Sequence, residues 1–116
     1  MNTPVSFELA KLLNDKGLPG LKSFYDNKKH YELNPKKYTI ADVIMWLYEK
    51  HGIWISVHEE NCRGYVGFDF NIVFVGDHEI TVTQQEIQYK LLGETVFNSP
   101  TEAYLAAIEY TLTKLI

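Results

Sequence analysis

Ile53-Trp54-Ile55-Ser56-Val57-His58 and Tyr65-Val66-Gly67-Phe68-Asp69-Phe70-Asn71-Ile72-Val73-Phe74-Val75 are the two stretches that decide the fold. Both alternate with a period of two, as strands do when their faces meet different surroundings. In the first, Ile53, Ile55 and Val57 share one face and Trp54, Ser56 and His58 the other. In the second, Val66, Phe68, Phe70, Ile72 and Phe74 form a long apolar face, opposed by Tyr65, Gly67, Asp69, Asn71, Val73 and Val75. Gly76-Asp77 predicts a hairpin turn, and Ile80 and Val82 a returning strand. A further short strand is expected near Ile87–Leu91. Upstream, Ser23–Tyr25 and His30–Leu33 flank Asp26-Asn27-Lys28-Lys29, the pattern of a small hairpin.

Three helices surround these strands. Thr3-Pro4 offers a cap and a first-turn proline, and Gly17 a stop, which predicts a helix from Thr3 to about Lys16. Its apolar stripe is Phe7, Leu9 or Ala10, Leu12 and Leu13. Thr39 and Asp42 make a short-armed capping box for a helix that stops at Gly52. Ile40, Val43, Ile44, Leu47 and Tyr48 are its expected buried face, with Trp46 beside it. Ser99-Pro100-Thr101-Glu102 opens the third, where Tyr104, Ile108, Thr111 or Leu112, and Leu115 recur at helical spacing. Ala103, Leu105, Ala106 and Ala107 make that helix apolar on more than one side.

Strands that cluster instead of alternating with helices predict an α+β domain spanning 1–116. Its antiparallel sheet of three to five strands has three helices packed mainly on one face. The 116 residues suit one domain with a modest core, and 46% hydrophobic with 14% aromatic residues is a globular composition.

The stretch Thr39-Ile40-Ala41-Asp42-Val43-Ile44-Met45-Trp46-Leu47-Tyr48-Glu49-Lys50-His51-Gly52-Ile53-Trp54-Ile55 resembles the middle of a group of small proteins from Bacteroides-type gut bacteria, their phages and mobile elements. Phe97-Asn98-Ser99-Pro100-Thr101-Glu102-Ala103 through Lys114-Leu115-Ile116 is similar to that group's C-terminus, and Ser6-Phe7-Glu8-Leu9-Ala10-Lys11-Leu12-Leu13 to its opening. Together these cover about half the chain. All three are helix-and-core motifs, and the group has no assigned activity, so the resemblance implies no catalytic residue, ligand or cofactor. It implies an accessory role on a mobile element.

Charge excludes some partners. Residues 1–39 hold seven lysines against four acids, whereas residues 40–116 hold four bases against eleven acids. A phosphate backbone wants continuous basic surface, which the acidic part would repel. The five lysines from Lys22 to Lys37 read first as a solvated edge. No apolar run reaches the roughly 20 residues of a membrane span. Met1-Asn2-Thr3-Pro4-Val5-Ser6 lacks the basic-then-apolar order of a signal peptide, and the single cysteine, Cys62, suits a reducing compartment. The expectation is a cytoplasmic protein.

Catalytic patterns are missing from the sequence. Gly64 and Gly67 have neither the spacing nor the following helix of a phosphate loop. His58, Cys62 and His78, with Glu59 or Asp77, are zinc-type ligands at no known spacing, and solvated turn residues explain them as well. A Cys62–His58 nucleophile would sit beside Glu59 and Glu60, which disfavour a thiolate. His30 reads as a hairpin residue and His51 as the cationic end of a helix. The expectation is therefore no catalytic residue, no metal and no cofactor.

What remains is the second sheet face. Trp54, His58, Tyr65, Asp69 and Asn71, with Ser56, place aromatic and hydrogen-bonding groups on an open surface, the composition of an interface core. The competing reading folds the early hairpin or residues 84–95 over that face and makes Trp54 core. The favoured function is a non-catalytic binding or adaptor domain making protein–protein contacts, self-association among them. The alternatives are single-stranded nucleic-acid binding, with Tyr65 and Trp54 stacking bases and Lys22–Lys37 on phosphates, and a small metal-dependent enzyme.

Overall fold

The computed structural model describes residues 3–18, 28–33, 37–62, 65–75, 81–83 and 97–116, with backbone alone at 60–62, 65 and 81–83. Its centre is a corner. Helix Ile40–His51 begins with a complete capping box: the Thr39 hydroxyl accepts the Asp42 N–H, and the Asp42 carboxylate accepts the Thr39 N–H at 3.0 Å. It ends at Gly52, whose φ of +64° is left-handed. A Cβ there would lie 3.2 Å from the Val75 carbonyl oxygen, so glycine serves both the turn and the close approach. The chain then enters strand β1, Ile53–Cys62, which pairs antiparallel with β2, Tyr65–Phe74.

The register sets Ile53 opposite Phe74, Ile55 opposite Ile72 and Val57 opposite Phe70, so the two apolar faces merge into one. On the other edge of β2, β3 (Thr81–Thr83) pairs with Asn71–Val73, and Phe97 bridges Phe68. The architecture is α+β with an antiparallel sheet, and the expected returning strand through Val82 is in place. The turn at Gly76-Asp77, the strand near Ile87–Leu91 and the arm Ser23–Tyr25 fall outside the described residues.

Four helices are described, α1 (Phe7–Asp15), α2 (Lys28–Leu33), α3 (Ile40–His51) and α4 (Pro100–Tyr110), the last running into a π-helical turn at Thr111–Leu115. Helices α3 and α4 cover the Ile55/Phe70/Ile72 face. Ala103 and Ala107 are fully buried, and their small side chains let α4 approach the sheet closely. Ile55, Ile72, Ile108 and Leu112 are each at most 1% exposed, and burying one such side chain contributes about 1.5–3 kcal/mol. Thr111 is buried too, its hydroxyl donating to the Ala107 carbonyl at 2.8 Å. No helix among the described residues is long and apolar enough to cross a membrane.

Two expectations are corrected at the N-terminal end. The first helix starts at Phe7, not Thr3, because the Ser6 hydroxyl caps it by accepting the Leu9 N–H. Thr3–Val5 is instead paired with Tyr38–Ile40: the Val5 N–H donates to the Tyr38 carbonyl at 2.9 Å and the Ile40 N–H to that of Thr3 at 3.0 Å. Thr3 precedes a proline, which disfavours helix at that position. The second arm of the early hairpin is helix α2, not strand. In a strand Tyr31 and Leu33 would share a face; in the helix Tyr31 is 2% exposed and Leu33 72%. The Tyr31 hydroxyl donates to the Val5 carbonyl at 2.6 Å, tying α2 to the N-terminal segment.

Candidate functional site

Strand alternation and the β1–β2 register put the expected residues on one face. Trp54 lies opposite Val73, Ser56 opposite Asn71, His58 opposite Asp69, and Cys62 opposite Tyr65. Helices α3 and α4 pack on the other face, and α3 reaches this one at Tyr48, beside Trp54.

The face is not uniform along its length. At one end Trp54 is 40% exposed and meets Tyr48 of α3 edge to face, with ring centroids 5.6 Å apart. Tyr48 is exposed equally, and Met45, one helical turn earlier, is 47% exposed. These three make an open apolar strip where α3 turns into β1. The middle is polar: His58 is exposed, while Ser56 and Asn71 are half-buried. Tyr65 stands at the far end, eight β2 positions from Val73, the partner of Trp54. That is roughly 26 Å of strand, so the two positions stand at opposite ends of the sheet.

Asp69 behaves unlike its neighbours. It is only 7% exposed, and its Oδ1 accepts the N–H of Phe70 at 2.9 Å. The sheet edge thus engages one oxygen of a carboxylate that the sequence placed on a binding surface.

The other candidates disperse. Cys62 is four β1 positions beyond His58, about 13 Å of extended chain. Glu59 and Glu60 are consecutive residues of β1. His78 and Asp77 lie outside the described residues, among which no group of three His, Cys, Asp or Glu side chains is placed to hold a metal ion. His51, at the end of α3, sets its ring against Trp46 at 5.0 Å.

Two lysines of the basic cluster have intramolecular neighbours. Lys28 pairs with Glu8 at 3.5 Å, and the Lys37 ammonium lies 5.8 Å from the Tyr31 ring centre. Helix α2 packs on α1, so these cations belong to the helical side. These contacts are with Glu8 and Tyr31 and not with Trp54, and Lys22 and Lys36 of the cluster lie outside the described residues.

Sequence reasoning missed Tyr48, which it assigned to the buried face of α3. The signal was present: Ile40, Val43, Ile44, Met45, Trp46, Leu47 and Tyr48 are more apolar positions than one stripe needs, so some must face out or meet another element. No family model, no curated protein and no solved structure matches the chain.

Proposed function

We propose that this chain is a non-catalytic binding or adaptor domain whose three- to five-stranded sheet offers one open face to a protein partner, a second copy of the chain included. The observation that carries the reading is the Tyr48–Trp54 pair, two large aromatics each 40% exposed in mutual contact beside exposed Met45. Aromatic anchors within a polar surround are what protein interfaces use, because they bury much area while losing little side-chain freedom. His58 and Asn71 supply hydrogen-bonding groups farther along the same face. An accessory role on a mobile element is consistent with such a domain.

Light scattering over a concentration series, repeated on Trp54→Glu, tests the proposal. A wild-type dimer that becomes a folded monomer in Trp54→Glu supports self-association through this face. A monomeric wild type directs the test to binding partners that the substitution abolishes. If Trp54→Glu instead destabilises the monomer by several kcal/mol and leaves association untouched, Trp54 is core and the proposal fails.

A further inference from the structure

A second surface lies on the helical side. A groove of about 370 Å³ runs between α1 and α4, lined by Ser6, Glu8, Leu9, Leu12, Leu105 and Glu109. Its volume falls in the range of sites that hold a small molecule or a few side chains, about 300–1,000 Å³. On α4, Ala103 and Ala107 are turned into the core, whereas Leu105 and Glu109 line the groove. It is therefore separate from the Trp54 face, across the sheet from it.

The lining has one chemical character. Three leucines make an apolar surface: Leu9 is 8% exposed, and Leu12 and Leu105 are half-buried against the core. Each helix adds one carboxylate, Glu8 from α1 and Glu109 from α4, and among the described residues no basic side chain lines the groove. The Glu8 carboxyl is held below its usual range by its backbone hydrogen bond in the first turn of α1 and by Lys28, so it is ionised at neutral pH. Its ion pair with Lys28 is open to solvent, 59% and 70% exposed on the two sides. Such pairs hold their partners weakly, and an incoming cation can share the carboxylate.

We infer that this groove docks a short basic–apolar segment of a partner protein, with an aliphatic or aromatic side chain on Leu9, Leu12 and Leu105 and lysine or arginine groups on Glu8 and Glu109. Charge complementarity fixes the occupant. An acidic segment is repelled, and a purely apolar one strips water from two carboxylates without replacing it. An anionic lipid surface meets the same repulsion. With the Trp54 face on the opposite side of the sheet, the domain has two docking surfaces, although the groove stands without the first.

The test is to pan a random twelve-residue peptide library against the whole chain. The most enriched peptide is then synthesised and titrated against wild type, Glu8→Lys/Glu109→Lys and Trp54→Ser. The expected result is enrichment of sequences that flank Leu, Ile, Met or Phe with Lys or Arg. Binding should weaken about tenfold or more in the charge-reversed protein, whose melting curve stays cooperative, and be unchanged in Trp54→Ser. No enrichment, enriched sequences without a basic residue, or equal affinity in the charge-reversed protein each overturns the inference. Loss of binding in Trp54→Ser alone assigns the peptide to the sheet face and also overturns it.

Discussion

The Asp69 carboxylate accepts the N–H of Phe70 at 2.9 Å, between the two places where other chain segments meet the outer edge of β2. On that edge Phe68 exchanges two backbone hydrogen bonds with Phe97, both 2.9 Å, and Ile72 stands opposite Val82. Alternation turns the Phe70 N–H toward the same edge, and a side-chain oxygen receives it. Asp69 thus serves the sheet as well as the face on which it stands.

Asp69→Ala is expected to cost about 1–3 kcal/mol, the penalty of leaving a buried donor without its acceptor. Asp69→Asn keeps an oxygen at the same place and should recover most of that loss. Urea denaturation of the two variants distinguishes this from a role in ligand binding alone, for which both substitutions would leave stability unchanged.

Tyr31 carries a pH-dependent share of stability. Burial, aided by Tyr38, pushes its phenol up to about 12, against about 10 in an unfolded chain. Both states hold the proton below pH 10, so the contribution is intact there. Between pH 10 and 12 the unfolded chain ionises while the folded one does not, and stability falls by up to about 2–3 kcal/mol. Tyr31→Phe should remove that alkaline loss, at a cost of about 1–3 kcal/mol at neutral pH for the orphaned Val5 carbonyl. Denaturant titrations at stepped pH read both effects.

Gly52→Ala should destabilise by about 1–2 kcal/mol, the ordinary cost of a left-handed residue bearing a Cβ. The new methyl would also press on the Val75 carbonyl oxygen at 3.2 Å. Because Gly52 accepts the Val75 N–H at 2.6 Å, hydrogen exchange at Val75 should quicken along with the fall in global stability.

The parts of the fold that could be read from sequence are those whose signals are local. Thr39 with Asp42, Ser99 with Glu102, Gly52 as a stop and the period-two runs of β1 and β2 each act within a few residues, and each stands where expected. The N-terminal region misled because its signals compete. Thr3-Pro4 would serve a helix start, yet pairing with Tyr38–Ile40 is available only in the tertiary structure. His30–Leu33 fits two periods, and the burial of Tyr31 beneath the N-terminal segment selects the helical one. At the candidate site the shared face followed from alternation. The partnership of Tyr48 with Trp54 depends on how Gly52 folds β1 back beside α3, and no residue spacing records that.

The two tryptophans, Trp46 and Trp54, differ in burial, and substitutions at them should separate folding from the association proposed for the sheet face. Trp46 is 7% exposed against His51, so Trp46→Ala should cost about 3–5 kcal/mol, as core truncations of large side chains do. Trp54 already meets water over 40% of its surface, and Trp54→Ser should cost less than half as much while abolishing association through the sheet face. In a Trp46→Phe background the fluorescence reports Trp54 alone. Iodide should quench it in the free protein and lose that access when the partner, or a second copy, is bound. Quenching that is weak from the start would mean the indole is covered by its own chain, and the sheet face would lose its anchor.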